Sequence, residues 1–246
     1  MNELLLITIL MISGPILGSL IGIIHKPSER YLEIMLAFSA GVMLTISFLE
    51  LIPQSIELSG LTLVIIGILL GVLFMYLLDK IIPHIHPIRH KHEKKMSNIK
   101  RISFALFLGL FLHNFPEGMT VATGTISTFK ATLAIALAIA IHNIPEGICT
   151  AAPYYFATKR RWEAFWMSAS TIIPTLIGFF GAYFLFQNIS GVFISIIVAA
   201  TAGLMIYISC DELIPFSITK KDIGVNHAAI FSLMLGVIFV LAMSWI

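Results

Sequence analysis

The 246-residue chain is 58% hydrophobic and 11% charged, with a mean hydropathy of +0.98, whereas ordinary soluble domains carry roughly 25% charged residues. This excludes an ordinary soluble domain, gives no reason to expect a nucleic-acid partner, and leaves a polytopic membrane protein embedded in a lipid bilayer. The net charge of +2 decides little, because in membrane proteins the placement of Lys and Arg matters more than their sum.

Eight apolar stretches are long enough to cross a hydrocarbon core of about 30 Å, which takes about 20 helical residues. They run over 4–24, 33–52, 61–79, 102–123, 131–151, 165–186, 191–212 and 227–246. No basic residue precedes the first stretch and its length suffices to span, so it reads as a retained helix rather than a signal peptide. Connections are short except for 80–101 and, less so, 213–226, and the expected fold is a single all-α membrane domain over 1–246. Cys149 and Cys210 both lie inside apolar segments, which argues against a disulfide framework.

Lys26 and Arg30, the basic run between Lys80 and Arg101, Lys159 with Arg160 and Arg161, and Lys220 with Lys221 all follow odd-numbered helices. Only Lys130 lies in the other set of connections. By the positive-inside rule, the basic connections face the cytoplasm of a cell (inner or plasma) membrane and both termini are extracytoplasmic.

Helix 2 and helix 7 repeat one another: Ala40-Gly-Val-Met-Leu-Thr-Ile-Ser-Phe-Leu-Glu-Leu-Ile-Pro53 matches Ala202-Gly-Leu-Met-Ile-Tyr-Ile-Ser-Cys-Asp-Glu-Leu-Ile-Pro215 at nine of fourteen positions. The two helices run in opposite directions in this topology, so the repeat is inverted, of the form 3+2+3. Inverted repeats are a transporter feature that puts the substrate site near the midplane at the repeat interface. Glu50 then falls near the outer mouth, and Asp211 with Glu212 near the inner one, each within a turn of a Pro read as a helix end. Met43 and Met205 offer thioether contacts to a path or, more simply, apolar packing.

A second internal repeat occupies the two central helices: His113-Asn-Phe-Pro-Glu-Gly118 and His142-Asn-Ile-Pro-Glu-Gly147. In each copy the His and Glu stand four apart, on one face of a helix. Imidazole and carboxylate together suit zinc, iron or manganese, and carboxylates at mid-membrane are costly without a counter-charge. Pro116 and Pro145 cannot donate to the carbonyls of Leu112 and Ile141, which frees those oxygens. The candidate metal ligands are therefore His113, Glu117, His142 and Glu146, with Asn114 and Asn143 beside them. Gly118 and Gly147 read either as bringing helices 4 and 5 together around a shared metal or as ordinary transmembrane packing. In the long cytoplasmic loop, His84, His86, His90 and His92 read as loose metal capture or as part of a polar linker.

These residues resemble the ZIP (Zrt-/Irt-like) family of divalent metal transporters, most closely its bacterial broad-specificity zinc-uptake branch. The resemblance rests on both HNxPEG motifs, the ELIP ends of helices 2 and 7, the eight spans and the His-bearing loop. It implies uptake of Zn(II), with Fe(II), Mn(II), Co(II) or Cd(II), at a site on His113, Asn114, Glu117, His142, Asn143 and Glu146. It also implies a transport domain sliding against a scaffold that often forms a homodimer. The cation is cargo, and no resident cofactor or enzymatic activity is expected. Bacterial relatives usually carry a helix 6 glutamate, in a pattern like Ser-Gly-Leu-x-Glu, that completes a two-metal centre. Here that stretch is Ser170-Thr-Ile-Ile-Pro-Thr175 and holds no acid, which leaves a single-metal site on helices 4 and 5. The same ligands would also serve an intramembrane metal-dependent hydrolase or a passive metal-selective channel. Against the hydrolase, no HExxH motif is present.

Overall fold

Proline 53 would be expected to stop the second apolar helix, yet the backbone continues past it. In the computed structural model, which describes residues 3–81, 93–124, 129–185, 190–220 and 224–243, helix α2 spans Glu29–Ser59. It starts on Ser28, whose hydroxyl accepts the Tyr31 N–H at 3.1 Å. It ends at Gly60, a residue at φ 81° that returns its N–H to Ile56; glycine takes this left-handed conformation without steric cost. Between these ends lies a π turn, Ser47–Leu51, in which the Ile52 N–H reaches back to the Ser47 carbonyl. The widened turn carries the helix through a residue that has no N–H to give. Helix α7, Gly191–Ile218, does the same at Ser209–Leu213, with Ile214 bonded to Ser209 just ahead of Pro215. The expectation that these prolines end their helices is thus corrected.

The other rods are α1 (Glu3–Ile24), α3 (Leu61–Ile81), α4 (Glu93–Gly124), α5 (Phe129–Thr158), α6 (Arg161–Ala169 continued by Ile172–Leu185) and α8 (His227–Met243). A two-residue antiparallel ladder, Thr219–Lys220 with Gly224–Val225, closes the chain between α7 and α8. The order agrees with an all-α membrane protein of eight helices. Helix α4 begins ahead of the expected 102, within the charged stretch, because hydropathy marks where the bilayer ends and not where helical hydrogen bonding ends. The expected metal-capturing residues His84, His86, His90 and His92 lie outside the described residues.

Four rods are long and apolar enough to cross a membrane: Glu3–Ile24, Glu29–Ser59, Arg161–Phe184 and Gly191–Ile218. Leu61–Leu77 and His227–Ala242 are apolar but shorter, and α4 and α5 carry the polar cluster. The chain is a multi-pass membrane protein. Its outer surface is apolar where a soluble protein's would be charged: Leu69 on α3 and Phe231 on α8 are 61% and 70% exposed. Trp162 and Trp166, equally exposed at the start of α6, follow the basic Lys159–Arg161 turn, as aromatic residues do at a headgroup boundary. Lys159, outside the spans, is held below its ordinary pKa by slight desolvation and then by the charge of Lys26. These two basic connections therefore share one face of the bundle.

Packing divides the helices. Helix α1 lies against α5, and α4 against α6 and α5; separately, α3 lies against α7 and α2 against α8. One apolar cluster joins Ile7 and Met11 of α1 to Val121, Ile139 and Phe179. Another centres on Leu36, Met43 and Ile46 of α2 with Met205 and Ile208 of α7. Both methionines are 1% exposed or less and act as packing in that cluster.

Candidate metal centre

Helices α4 and α5 cross with their repeated motifs facing each other. His113, Asn114, Glu117, His142, Asn143 and Glu146 are all buried, between 1% and 7% exposed. The His–Glu spacing within one helix does not make the pairs. Instead each His meets the Glu of the other helix: His142 Nε2 lies 2.5 Å from Glu117 Oε1, and His113 Nε2 lies 3.5 Å from Glu146 Oε1. The Asn143 amide donates to Glu117 Oε2 at 3.4 Å. The Asn114 amide donates to the Thr171 carbonyl at 3.0 Å.

Glu117 is thereby held from α5, while Glu146 is not: both its oxygens lack a hydrogen bond, as do the side-chain oxygens of Asn114 and Asn143 and both ring nitrogens of His113. A buried acceptor left unpaired costs about 1–3 kcal/mol, and more when charged. Of these unpaired atoms the four oxygens, and one nitrogen of a neutral His113, are acceptors, and acceptors gathered in this way favour a cation. Single ligand atoms of His113, His142 and Glu146 lie within 4.8 Å of one another. Tetrahedral zinc at about 2.0–2.1 Å sets its donors roughly 3.4 Å apart, so these side chains need draw in by roughly 1 Å.

A cavity of about 160 Å³ reaches the cluster, walled by His113, Glu117 and His142 on one side and by Glu50, Gln54 and Thr201 on the other. A water needs about 10–15 Å³ of such space, so the cavity has room for several. Glu50 thus stands on the same cavity as the central ligands. Asp211 and Glu212, on the π turn of α7, are partly buried and do not line it.

Of the two readings of the glycines, ordinary transmembrane packing is the one the contacts match, and they do not bring α4 and α5 together. A Cβ on Gly118 would strike the Thr175 carbonyl of α6, and one on Gly147 would meet Ser19 N at 2.8 Å and Pro15 O at 2.9 Å on α1. They seat the two site helices against their outer neighbours. The α6 break at Ser170–Thr171 was not anticipated as part of the site, yet it presents the Thr171 carbonyl to Asn114. The available signal was two hydroxyl residues shortly before Pro174, a sequence that loosens helical bonding. Asn114→Ala is expected to lower stability by about 1–2 kcal/mol, read as a lower melting temperature in detergent, with metal affinity reduced less than by loss of either His. Another buried set missed in the sequence is the hydroxyl chain Ser19 to Ser168 (2.8 Å) and Ser168 to Thr150 (2.5 Å), which ties α1, α6 and α5 beside Gly147.

A family model described as ZIP Zinc transporter matches residues 1–101 and 86–244. Curated relatives named "Zinc transporter ZupT" from Salmonella newport (strain SL254) and Salmonella typhimurium (strain LT2) are each 35% identical over 243 residues, covering 96% of this chain and 93% of their own length. With the paired HNxPEG motifs brought together on facing helices and a full-length match of this kind, the chain belongs to the ZIP family of zinc transporters.

Proposed function

We propose that the protein is a secondary transporter that imports divalent cations, Zn(II) first among them, into the cytoplasm through the site shared by α4 and α5. The observation that carries this is the convergence of two His and two Glu, buried, from two helices, with acceptors left unpaired. Relatives named as zinc transporters support zinc as cargo, and the same donor set admits Fe(II), Mn(II), Co(II) and Cd(II). His113, Glu117, His142 and Glu146 bind the ion; Asn114 and Asn143 position the cluster and lend oxygen atoms. Glu50 collects cations at the outer mouth, and Asp211 with Glu212 stand near the inner one.

The basic connections sit in the cytoplasm and both termini outside. Supporting this are the distribution of Lys and Arg, the shared face of Lys26 and Lys159 and the tryptophans beside Arg161. The inverted 3+2+3 arrangement is supported by packing: exchanging α1 with α6, α2 with α7, α3 with α8 and α4 with α5 turns each principal helix contact into another one. The matching π turns of α2 and α7 fall under the same exchange. The group α1, α4, α5 and α6 then moves against α2, α3, α7 and α8 to expose the ion to each side in turn, and the second group supplies the contact for a homodimer.

The test is uptake of labelled zinc and a panel of divalent metals into proteoliposomes, with and without a pH gradient. Saturable uptake is expected. It should weaken as the loading side is acidified, because protons compete with metal for imidazole and carboxylate. Hydrolysis dependent on Glu117 without metal flux would replace this reading with the hydrolase, and non-saturating flux would replace it with the channel.

A further inference from the structure

The two copies of the motif are not held alike. On α4, Glu117 is fixed by its own side-chain bonds, to His142 at 2.5 Å and to Asn143 at 3.4 Å. On α5, Glu146 faces His113 at 3.5 Å, beyond the ordinary N–H···O range of about 2.7–3.2 Å. Pro145 directly precedes it and withdraws a helical bond from that turn, so α5 by itself directs Glu146 only loosely. What firms the turn comes from α6. Ser168 Oγ, in the last turn before the α6 break, donates to the Gly147 carbonyl at 2.9 Å. The Thr150 hydroxyl lies 2.5 Å from Ser168 Oγ, and 3.1 Å and 3.2 Å from the carbonyls of Glu146 and Gly147. Ser168 also accepts from Ser19 of α1 at 2.8 Å. Ser19, Thr150 and Ser168 are each 1% exposed or less.

The same segment reaches the other site helix. The Thr171 N–H and hydroxyl both bond back to the Ser168 carbonyl, at 3.1 Å and 2.8 Å, and the Thr171 carbonyl takes the Asn114 amide. Buried hydroxyls between transmembrane helices are most simply packing glue. Their place argues for more: they bond the peptides on either side of Gly147, immediately after a ligand, at a turn that proline has weakened. In the α4 copy of the motif the position of Thr150 is held by Val121, which has no hydroxyl, and there the glutamate is bonded through its side chain instead.

We propose that Ser168 is a positioning residue for the metal site: through the Gly147 carbonyl it aims Glu146, so that the α6 break sets the less tightly held half of the cluster. The proposal rests on the reading of His113, Glu117, His142 and Glu146 as metal ligands. Ser168 lies behind α5, against α1, and acts only on where the Glu146 carboxylate stands. Loss of an outer partner of this kind costs about 10–100-fold in metal affinity.

The experiment titrates zinc into the full chain in detergent micelles. Ser168→Ala is expected to raise the zinc Kd by about tenfold, and Thr150→Val, which cuts the same hydroxyl chain from the α5 side, should act in the same direction. A double-mutant cycle separates aiming from mere packing. In a Glu146→Gln background Ser168→Ala should change Kd by less than about twofold, whereas in an Asn143→Ala background, where Glu146 is intact, it should cost the full tenfold. The visible absorption of bound Co(II), which reports ligand geometry, should shift with Ser168→Ala and be indifferent to that change in the Glu146→Gln protein. An unchanged Kd in both hydroxyl variants, or an equal cost in the two backgrounds, overturns the positioning role while leaving the metal site standing. If the unsubstituted chain binds no zinc, the metal-site reading fails and the positioning role fails with it.

Discussion

Alanine in place of Glu117 or His142 is expected to end metal uptake while the protein still reaches the membrane. These two side chains link α4 to α5, with His142 Nε2 2.5 Å from Glu117 Oε1, and both line the cavity that reaches the cluster. Removing a group that merely orients a metal ligand costs about 10–100-fold in affinity or activity. Loss of a ligand should exceed that, so uptake at sub-saturating zinc should fall by more than about 100-fold. A stability cost comes too, because the surviving partner is left buried and unpaired. Glu117→Gln, which keeps the shape and the hydrogen-bonding capacity, separates the two effects: its melting temperature should stay near that of the parent while uptake is lost. Labelled-zinc uptake normalised to membrane protein measures this, and normal uptake by any of the three variants would contradict the assignment.

The second large effect is steric. Gly118→Leu and Gly147→Leu place a side chain where a neighbouring backbone already lies: the Thr175 carbonyl for Gly118, and Ser19 N at 2.8 Å with Pro15 O at 2.9 Å for Gly147. A backbone cannot swing away as a flexible side chain can, so α6 or α1 must separate from the site helix. Overpacking of this kind costs about 3 kcal/mol or more, which for a chain of this size corresponds to a fall of about 10 °C in melting temperature. Uptake should fall with it, since each glycine directly follows a ligand, Glu117 or Glu146. Melting in detergent followed by uptake checks the expectation, and an unchanged melting temperature would show that the helices are not in close contact at these glycines.

What was legible in the sequence came from periodicity and cost. Ionisable residues inside long apolar runs are expensive enough that His113, Glu117, His142 and Glu146 stood out, and the helical spacing of four put each pair on one face. Spacing within a helix says nothing of the partner across it, so the crossed pairs His142 with Glu117 and His113 with Glu146 emerged only in three dimensions. The same limit hid the role of Gly118 and Gly147, which face α6 and α1 and not each other. Pro53 and Pro215 looked like stops because the ordinary rule assumes an α-helical bonding register, and the π turns before them change that register. Thr171 contributes through its backbone carbonyl, which no side-chain pattern reveals.

The central claim is that α4 and α5 share one cation through both imidazoles and both carboxylates. X-ray absorption at the zinc edge, on the Cys210→Ser, Cys149→Ser protein loaded with one equivalent of zinc, tests it most directly. The account predicts a shell of nitrogen and oxygen only, with the outer-shell scattering of two imidazoles, reduced to one by either His113→Ala or His142→Ala. A spectrum lacking imidazole scattering, or one unaltered by both substitutions, would contradict it.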